Sequence, residues 1–277
     1  MIASGKAPRT FANLPGAPAA ATDRLAGLSR EERAALTEAS QRISSGELGA
    51  AEQLLRGILA AHPDHTETLR MLAVAYHIGG HTAEAIGVVR HAQRTNPSDA
   101  LLMNTLGSLL QTTGDVAGGG IAFRRACELD PELASAWMNL GTNLSIQSDV
   151  RQAESAFARA VELQPQSVNA RILHANALNA LGRTDEAIAE FRAAIAANPR
   201  AAHAWAGLAE IKTVALTTED IGVLERLVAD PALGEDERAV AGFALGRGLE
   251  DQQRYPDAFA AFSDANAAMR RLMPWDA

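Results

Sequence analysis

Side chains that could do chemistry are few and widely spaced in this chain. Cys127 is the only cysteine among 277 residues, so an intrachain disulfide is excluded, and its place late in a predicted helix indicates a buried thiol. A nucleophilic cysteine would need a base beside it, and the sequence shows no sign of one. His77 and His81 are four residues apart, but Gly79 and Gly80 lie between them, which disfavours a metal pair on one helix. We therefore predict no catalytic residue, no metal site and no cofactor.

A run of three glycines, Gly118, Gly119 and Gly120, is the most unusual local feature. It does not predict a phosphate-binding loop, because Ile121 and Ala122 follow it where a lysine and a serine or threonine would be needed. Each glycine weakens a helix by roughly 0.5–1 kcal/mol relative to alanine. The run therefore predicts either a weakened helix start or a hinge between two halves of the protein.

Composition and charge narrow the class of protein. Hydrophobic residues make up 47% of the chain but aromatic residues only 4%, which favours an all-α fold of Ala-rich and Leu-rich helices. The net charge of −8 gives no support to nucleic-acid binding. No apolar run approaches the roughly 20 residues of a membrane span, and Met1 to Phe11 does not resemble a signal peptide. We expect a cytoplasmic protein without nucleic-acid or membrane partners.

The predicted helices and turns of this chain repeat with a period of 34 residues. Prolines mark this period in the sequence, at Pro63, Pro97, Pro131, Pro165 and Pro199. Glycines keep the same period at the predicted turns, at Gly46, Gly80, Gly114 and Gly182, with Ser148 in the remaining place. Between these markers, small and large apolar residues recur at helical spacing, which predicts two helices per repeat. One such hairpin cannot bury its own apolar face, so we expect the copies to stack.

A 34-residue period with these residue types resembles the tetratricopeptide repeat. The resemblance implies an all-α, right-handed superhelical solenoid of helical hairpins. We expect a mobile Ala/Pro-rich leader over residues 1–24, repeats over 25–272 and an exit tail over 273–277. The repeats divide into five regular units over 32–201, a divergent helix pair over 202–238 and a terminal unit over 239–272. Ser29 and Glu32 have the spacing of a capping box, which predicts a first helix from there to about Ser45.

In this repeat family the first helix of each hairpin lines a concave groove. The groove positions that the resemblance implies are mostly uncharged and polar, and we predict that they bind ligand: Arg70, His77, Asn104, Ser108, Gln111, Asn139, Thr142, Asn169, Asn176 and Asn179. Side-chain amides both donate and accept hydrogen bonds, which suits an extended polypeptide. The alternative is that these residues only keep an exposed helix face soluble.

The C-terminal third carries a second resemblance. The segments Leu224–Leu227, Phe243–Glu250 and Tyr255–Phe262 resemble the region that precedes the catalytic domain in bacterial tetratricopeptide-repeat sulfotransferases. Two functions follow as expectations. The first is a non-enzymatic scaffold that binds a protein or peptide in its groove; the alternative is the substrate-recruiting part of a sulfotransferase-like or glycosyltransferase-like enzyme. Apolar residues near Met273 predict either a homodimer through the C-terminal end or a surface that docks a further domain.

Overall fold

The computed structural model describes residues 24–273, so the predicted leader (1–24) and exit tail (273–277) lie almost entirely outside the described residues. Within residues 24–273 there are fourteen α-helices and no β-strand, which confirms the all-α prediction. The helices are α1 Arg30–Ser45, α2 Leu48–Ala61, α3 Thr66–Ile78, α4 Thr82–Thr95, α5 Ala100–Thr112, α6 Val116–Leu129, α7 Ala134–Ile146, α8 Val150–Leu163, α9 Val168–Ala180, α10 Thr184–Ala197, α11 Ala202–Glu210, α12 Thr218–Ala229, α13 Glu235–Asp251 and α14 Tyr255–Leu272.

The chain divides into two compact units. Unit 1 extends to Gln147 and contains α1 to α7, and unit 2 begins at Ser148 and contains α8 to α14. In each unit a helix packs against the next helix along the chain, as in α5 with α6 and α13 with α14. First helices of successive hairpins also touch, as α5 does with α3 and α7 in unit 1, and α9 with α11 in unit 2. In unit 1 this second set of contacts places the predicted groove residues on neighbouring helices, α3, α5 and α7.

The helix boundaries follow the capping residues in the sequence. Ser29 and Glu32 form the predicted capping box at the start of α1, with the backbone N–H of Ser29 donating to the Glu32 carboxylate over 2.8 Å. Thr217 and Asp220 form a second capping box at α12. The periodic turn residues have left-handed backbone, with φ of 82° at Gly46 and 64° at Ser148. The turn prediction is confirmed at these positions. Glycine reaches this region without strain, and Ser148 adopts it as a non-glycine residue.

Each unit has its own apolar core. In unit 1, Leu55, Leu36 and Leu72 belong to one buried cluster, and a Cβ added to Gly107 would lie 2.6 Å from the ring of Phe123. The small residue is therefore required for α5 and α6 to approach each other. In unit 2 the cluster is centred on Trp205, whose side chain is 2% exposed.

The glycine run lies inside α6 and has a packing role that neither sequence interpretation anticipated. Asp115 caps the helix by accepting from the backbone N–H of Gly118 over 2.8 Å. Gly119 and Gly120 are buried, and a Cβ on Gly120 would lie 2.6 Å from Oδ1 of Asn143. Two glycines thus make room for a side chain from α7.

Candidate functional site

The predicted groove residues lie on first helices of hairpins in both units. Unit 1 carries Arg70 and His77 on α3, Asn104, Ser108 and Gln111 on α5, and Asn139 and Thr142 on α7. Unit 2 carries Asn169, Asn176 and Asn179 on α9. We call the α5–α7 part of the first set, Asn104, Ser108, Gln111, Asn139 and Thr142, the polar wall.

An amide pair bridges two helices of the polar wall. The Asn139 side-chain amide donates to the side-chain oxygen Oδ1 of Asn104 over 2.9 Å, joining α7 to α5, and both residues are half-buried. An Asn side chain has two N–H donors and one carbonyl acceptor, so this single bond leaves donors on Asn104 and both a donor and the acceptor on Asn139. The pair is held in place while part of its hydrogen-bonding capacity stays available.

The hydroxyls of the polar wall bond to their own helices. Ser108 Oγ donates to the backbone carbonyl of Asn104 over 3.2 Å, and Thr142 Oγ1 donates to the backbone carbonyl of Met138 over 3.0 Å. This bonding uses the donor of each hydroxyl and leaves its oxygen as an acceptor.

Gln111 leads to a residue that the sequence analysis missed. Its side-chain carbonyl accepts from Asn143 over 2.8 Å, and the same Asn143 amide donates to the carbonyl of Val116 over 2.9 Å. Gln147 donates to Asn143 Oδ1 over 2.6 Å. Asn143 is fully buried, so this network satisfies both its amide hydrogens and its oxygen in the core. Gln111 therefore also supports a buried cluster.

The 34-residue period contained a sign that Asn143 is buried. It stands 34 residues from Leu109 and from Ala177, both of which are buried apolar residues. An amide in a core position one period from two apolar residues indicates a compensating partner, because an unpaired buried amide is costly. The partners could not be identified from the sequence alone, since they lie on α5, on α6 and just after the end of α7.

Arg70 lies in an ion cluster. Its guanidinium contacts the Glu67 carboxylate over 2.5 Å, and Arg24 contacts Glu67 over 3.2 Å and Asp99 over 3.3 Å. Burial opposes the charge of Glu67, but the hydrogen bonds and charges of Arg70 and Arg24 outweigh it and lower the pKa of Glu67. The Arg70 side chain is only 13% exposed, so this cluster ties it to the start of α3.

His77 ends α3 next to the following helix. Its Nδ1 lies 3.1 Å from Oγ1 of Thr82, and burial lowers its pKa. Over residues 24–273, no group of three or more His, Cys, Asp or Glu side chains is arranged to hold a metal ion. Cys127 is buried, and burial raises the pKa of its thiol to about 12, which keeps it protonated and unreactive.

The predicted groove residues of unit 2 are more exposed. Asn169, Asn176 and Asn179 are all exposed on α9. On the same helix, His174 is 12% exposed and lies between two carboxylates, 3.4 Å from Glu154 and 3.6 Å from Glu190. Its Nδ1 has no hydrogen-bond partner.

No described helix combines the length and the apolar character that crossing a bilayer requires. The cytoplasmic location, the homodimer and ligand binding by the groove residues stay predictions.

Comparison with known proteins agrees with the helical hairpins. Residues 42–108 and 144–211 match the model of a family described as tetratricopeptide repeat. Protein FlbA of Caulobacter vibrioides is 39% identical over 72 residues, a match that covers 26% of this chain and 12% of FlbA. This chain therefore matches only a small part of that relative's length.

Solved structures with the same fold match most of the chain. A tetratricopeptide repeat protein from Parabacteroides merdae is 18% identical, with a TM-score of 0.57 over 90% of this chain and 95% of that one. A structure of PilF from Pseudomonas aeruginosa is 17% identical, with a TM-score of 0.60 over 83% of this chain and 96% of that one. At such low identity these similarities concern the fold alone. The matched segments and the stacked hairpins together support a fold built of tetratricopeptide repeats.

Proposed function

We propose that this protein is a protein–protein interaction scaffold and that the polar wall of unit 1 binds an extended polypeptide. The observation that carries the proposal is the hydrogen bond between Asn139 and Asn104, which fixes two amides on neighbouring helices. A peptide backbone offers an N–H donor and a C=O acceptor at each residue, and the amide pair retains a matching acceptor and donors. Binding of this kind recognises the backbone and tolerates many side chains.

The surroundings of the pair favour polar binding over apolar docking. The oxygens of Ser108 and Thr142 add acceptors on the same helices, and Gln111 is held by the buried Asn143. Because these groups are already oriented by helix backbone or core, little side-chain entropy is lost when a ligand binds. The three exposed asparagines of α9 offer similar chemistry in unit 2, and we propose them as a second stretch of contact.

The proposal is tested with a displayed peptide library selected on the full chain, followed by calorimetry on one selected peptide. We expect Asn104→Ala combined with Asn139→Ala to weaken binding about tenfold or more, as the loss of one to two net hydrogen bonds requires. A Gln41→Ala variant is the matched control, because Gln41 is an exposed amide on α1 outside the wall. Peptide N-methylated at the contacting positions should also bind more weakly, since it lacks backbone donors.

Circular dichroism of each variant shows whether the helices persist. If the double variant folds and binds the selected peptide as tightly as the wild type, the polar wall is not the site. If N-methylation has no effect, the wall does not read the backbone.

The alternative function is the substrate-recruiting part of a protein-modifying transferase. The matched segment makes up only 12% of FlbA, which supports a related segment acting within a longer protein. The two interpretations share the groove and differ in what is joined to it. Mass spectrometry of the intact protein purified from its own source would show a larger polypeptide under the transferase interpretation and a 29.2 kDa chain under the scaffold interpretation. Imaging of a fluorescent fusion in the same cells tests the cytoplasmic location.

A further inference from the structure

The outward face of α14 exposes large apolar side chains. Tyr255 and Phe259 are 61% and 74% exposed, and Met273, just after the helix, is 58% exposed. Tyr255 and Phe259 are one helical turn apart, so their side chains lie on the same face. Large aromatic residues exposed together mark an interaction surface more often than isolated ones do.

The repeat phase shows what this face does in other hairpins. The buried Ala258 of α14 corresponds to Ala153 of α8, so Phe259 corresponds to Glu154. Within unit 2, Glu154 contacts His174, which belongs to the first helix of the following hairpin. The exposed face of α14 is thus the face with which α8 contacts the next hairpin.

The same relation holds within unit 1. Glu52 of α2 stands three periods before Glu154, and it accepts a hydrogen bond of 3.0 Å from Tyr76 of α3. In both units, therefore, this position on a second helix meets a first helix that follows it. The α14 face continues an interface that the protein already uses.

The complementary face lies at the other end of the repeats, between α1 and α2. Here a groove of about 510 Å³ has an apolar floor that includes Ala35, Leu54 and Ile58. Glu38 and Arg42 line the same groove. Glu38 stands four 34-residue periods before His174, and Arg42 stands one period before Tyr76. Within the chain, His174 and Tyr76 are the residues of first helices that contact the preceding second helix.

We propose that two copies of this chain associate head to tail, with α14 of one copy packed in the α1–α2 groove of the other. Consecutive helices joined by short turns run antiparallel, so the end of α14 would meet the start of α1. Exposed Arg270 near the end of α14 then faces Glu31, an acidic groove residue at the start of α1. Apolar character and charge therefore match between the two ends.

Such a contact joins two different surfaces and leaves one free copy of each, so assemblies grow with concentration. It lies beyond the proposed function, because neither α14 nor the groove between α1 and α2 belongs to the polar wall. Peptide binding and self-association can therefore fail independently.

The test is sedimentation velocity of the full chain over a range of concentrations. We expect the wild-type mass to rise from 29.2 kDa to multiples of it. Phe259→Glu places a charge on the exposed apolar face of α14. Gly57→Arg fills the groove, and a Cβ on Gly57 would meet no other atom of its own chain within 4 Å. We expect each variant alone to stay monomeric.

An equimolar mixture of the two variants is the decisive sample. Each retains one intact end, so head-to-tail association predicts a dimer and nothing larger. Ala260→Glu and Gly49→Arg are the matched controls. Both sites are exposed and lie on the same helices, but they belong neither to the groove nor to the Tyr255–Phe259 face of α14. Both controls should assemble like the wild type.

Three results would overturn the proposal. The first is a wild-type chain that stays monomeric at every concentration. The second is assembly abolished by Phe259→Glu but not by Gly57→Arg, which would indicate pairing of α14 with α14. The third is a mixture of the two variants that stays monomeric while circular dichroism shows both to be folded.

Discussion

The helices around Asn143 in unit 1 and those around Arg192 in unit 2 are joined by different kinds of polar bond. In unit 1 the fully buried, neutral Asn143 joins α7 to α5 and α6, and the glycines of α6 make room for it. In unit 2 charged groups join the helices. Arg192 of α10 donates two hydrogen bonds, of 2.6 and 2.8 Å, to the carboxylate of Asp220 on α12. Arg171 of α9 likewise contacts Glu190 of α10 over 2.6 Å.

The difference shows how burial selects the kind of bond. A neutral amide can be completely buried once all its hydrogen bonds are made, but it needs close steric fit. Ion pairs keep part of their hydration, as the 36% exposed side chain of Arg192 does, and tolerate looser packing. The Asn143 site should therefore be sensitive to shape, and the Arg192–Asp220 pair to the charge state of its carboxylate.

Replacing Asn143 should have the largest effect. Asn143→Ala removes the bonds to Gln111, Gln147 and the Val116 carbonyl and leaves buried polar atoms unpaired, so we expect a loss of about 2–4 kcal/mol in the free energy of unfolding. Urea denaturation measures the loss. The rate at which a thiol reagent labels Cys127 should rise as well, because this buried thiol of unit 1 reacts only when its surroundings open. An unchanged labelling rate would contradict a structural role for the network in unit 1.

Asp220→Asn tests the ionic bond of unit 2 with little change in shape. We expect a loss of about 1–3 kcal/mol at neutral pH, the range for hydrogen bonds to charged groups. Burial opposes the charge of Asp220, but the hydrogen bond from Arg192 and that from the Thr217 backbone outweigh it and hold the pKa below 3.8.

The pH dependence of this variant has a definite sign. A lowered carboxyl pKa stabilises the folded state above the ordinary value of 3.8, and that contribution disappears as the pH falls through the lower folded value. Urea midpoints of wild type and Asp220→Asn should therefore differ at pH 7 and converge in acid. A constant difference down to acid pH would show that the charge is not the cause.

Gly120→Ala tests the fit in unit 1 with a single methyl group. The added Cβ would lie 2.6 Å from Oδ1 of Asn143, so we expect a net destabilisation of about 1–2 kcal/mol despite the better helix propensity of alanine. Gly87→Ala in α4 is the matched control, because its Cβ meets nothing within 4 Å. There the free energy of unfolding should rise by about 0.5–1 kcal/mol. Equal effects of the two changes in denaturant unfolding would contradict the tight contact.

The smallest expected effect is a pH response of unit 1 at His65. This residue caps α3, since its Nδ1 accepts from the Thr68 backbone N–H over 3.3 Å, which requires the unprotonated ring nitrogen. Burial is the main reason that the pKa of His65 lies below 6.5. A lowered His pKa gives stability that is present above 6.5 and lost as the pH falls through the folded value.

The response is measured as the urea midpoint between pH 7.5 and pH 5. Wild type should lose less than about 1 kcal/mol over this range, the typical value of one cap. His65→Ser keeps a capping oxygen without a titrating group, so its stability should change less with pH. An equal slope in both proteins would assign the pH response to other groups.

Particular residues show where sequence reasoning succeeded. The capping box of Ser29 and Glu32 and the left-handed turn at Gly46 depend on residues within one or two turns of each other, and both were predicted. The all-α hairpins followed from the 34-residue period for the same reason. Arg70 was predicted on the groove face, but its ion cluster depends on Arg24 and Asp99, which are distant in the sequence.

By itself, the sequence determined which segments become helices, where they turn and which faces they bury, because these features depend on neighbouring residues and on a period that can be counted. Only the tertiary structure decided that Gly120 leaves space for the side chain of Asn143, and that Arg192 contacts Asp220, 28 residues away. Such pairings depend on how helices from different hairpins are brought together in space. Hydrogen bonds act over about 3 Å, and sequence spacing does not resolve that distance.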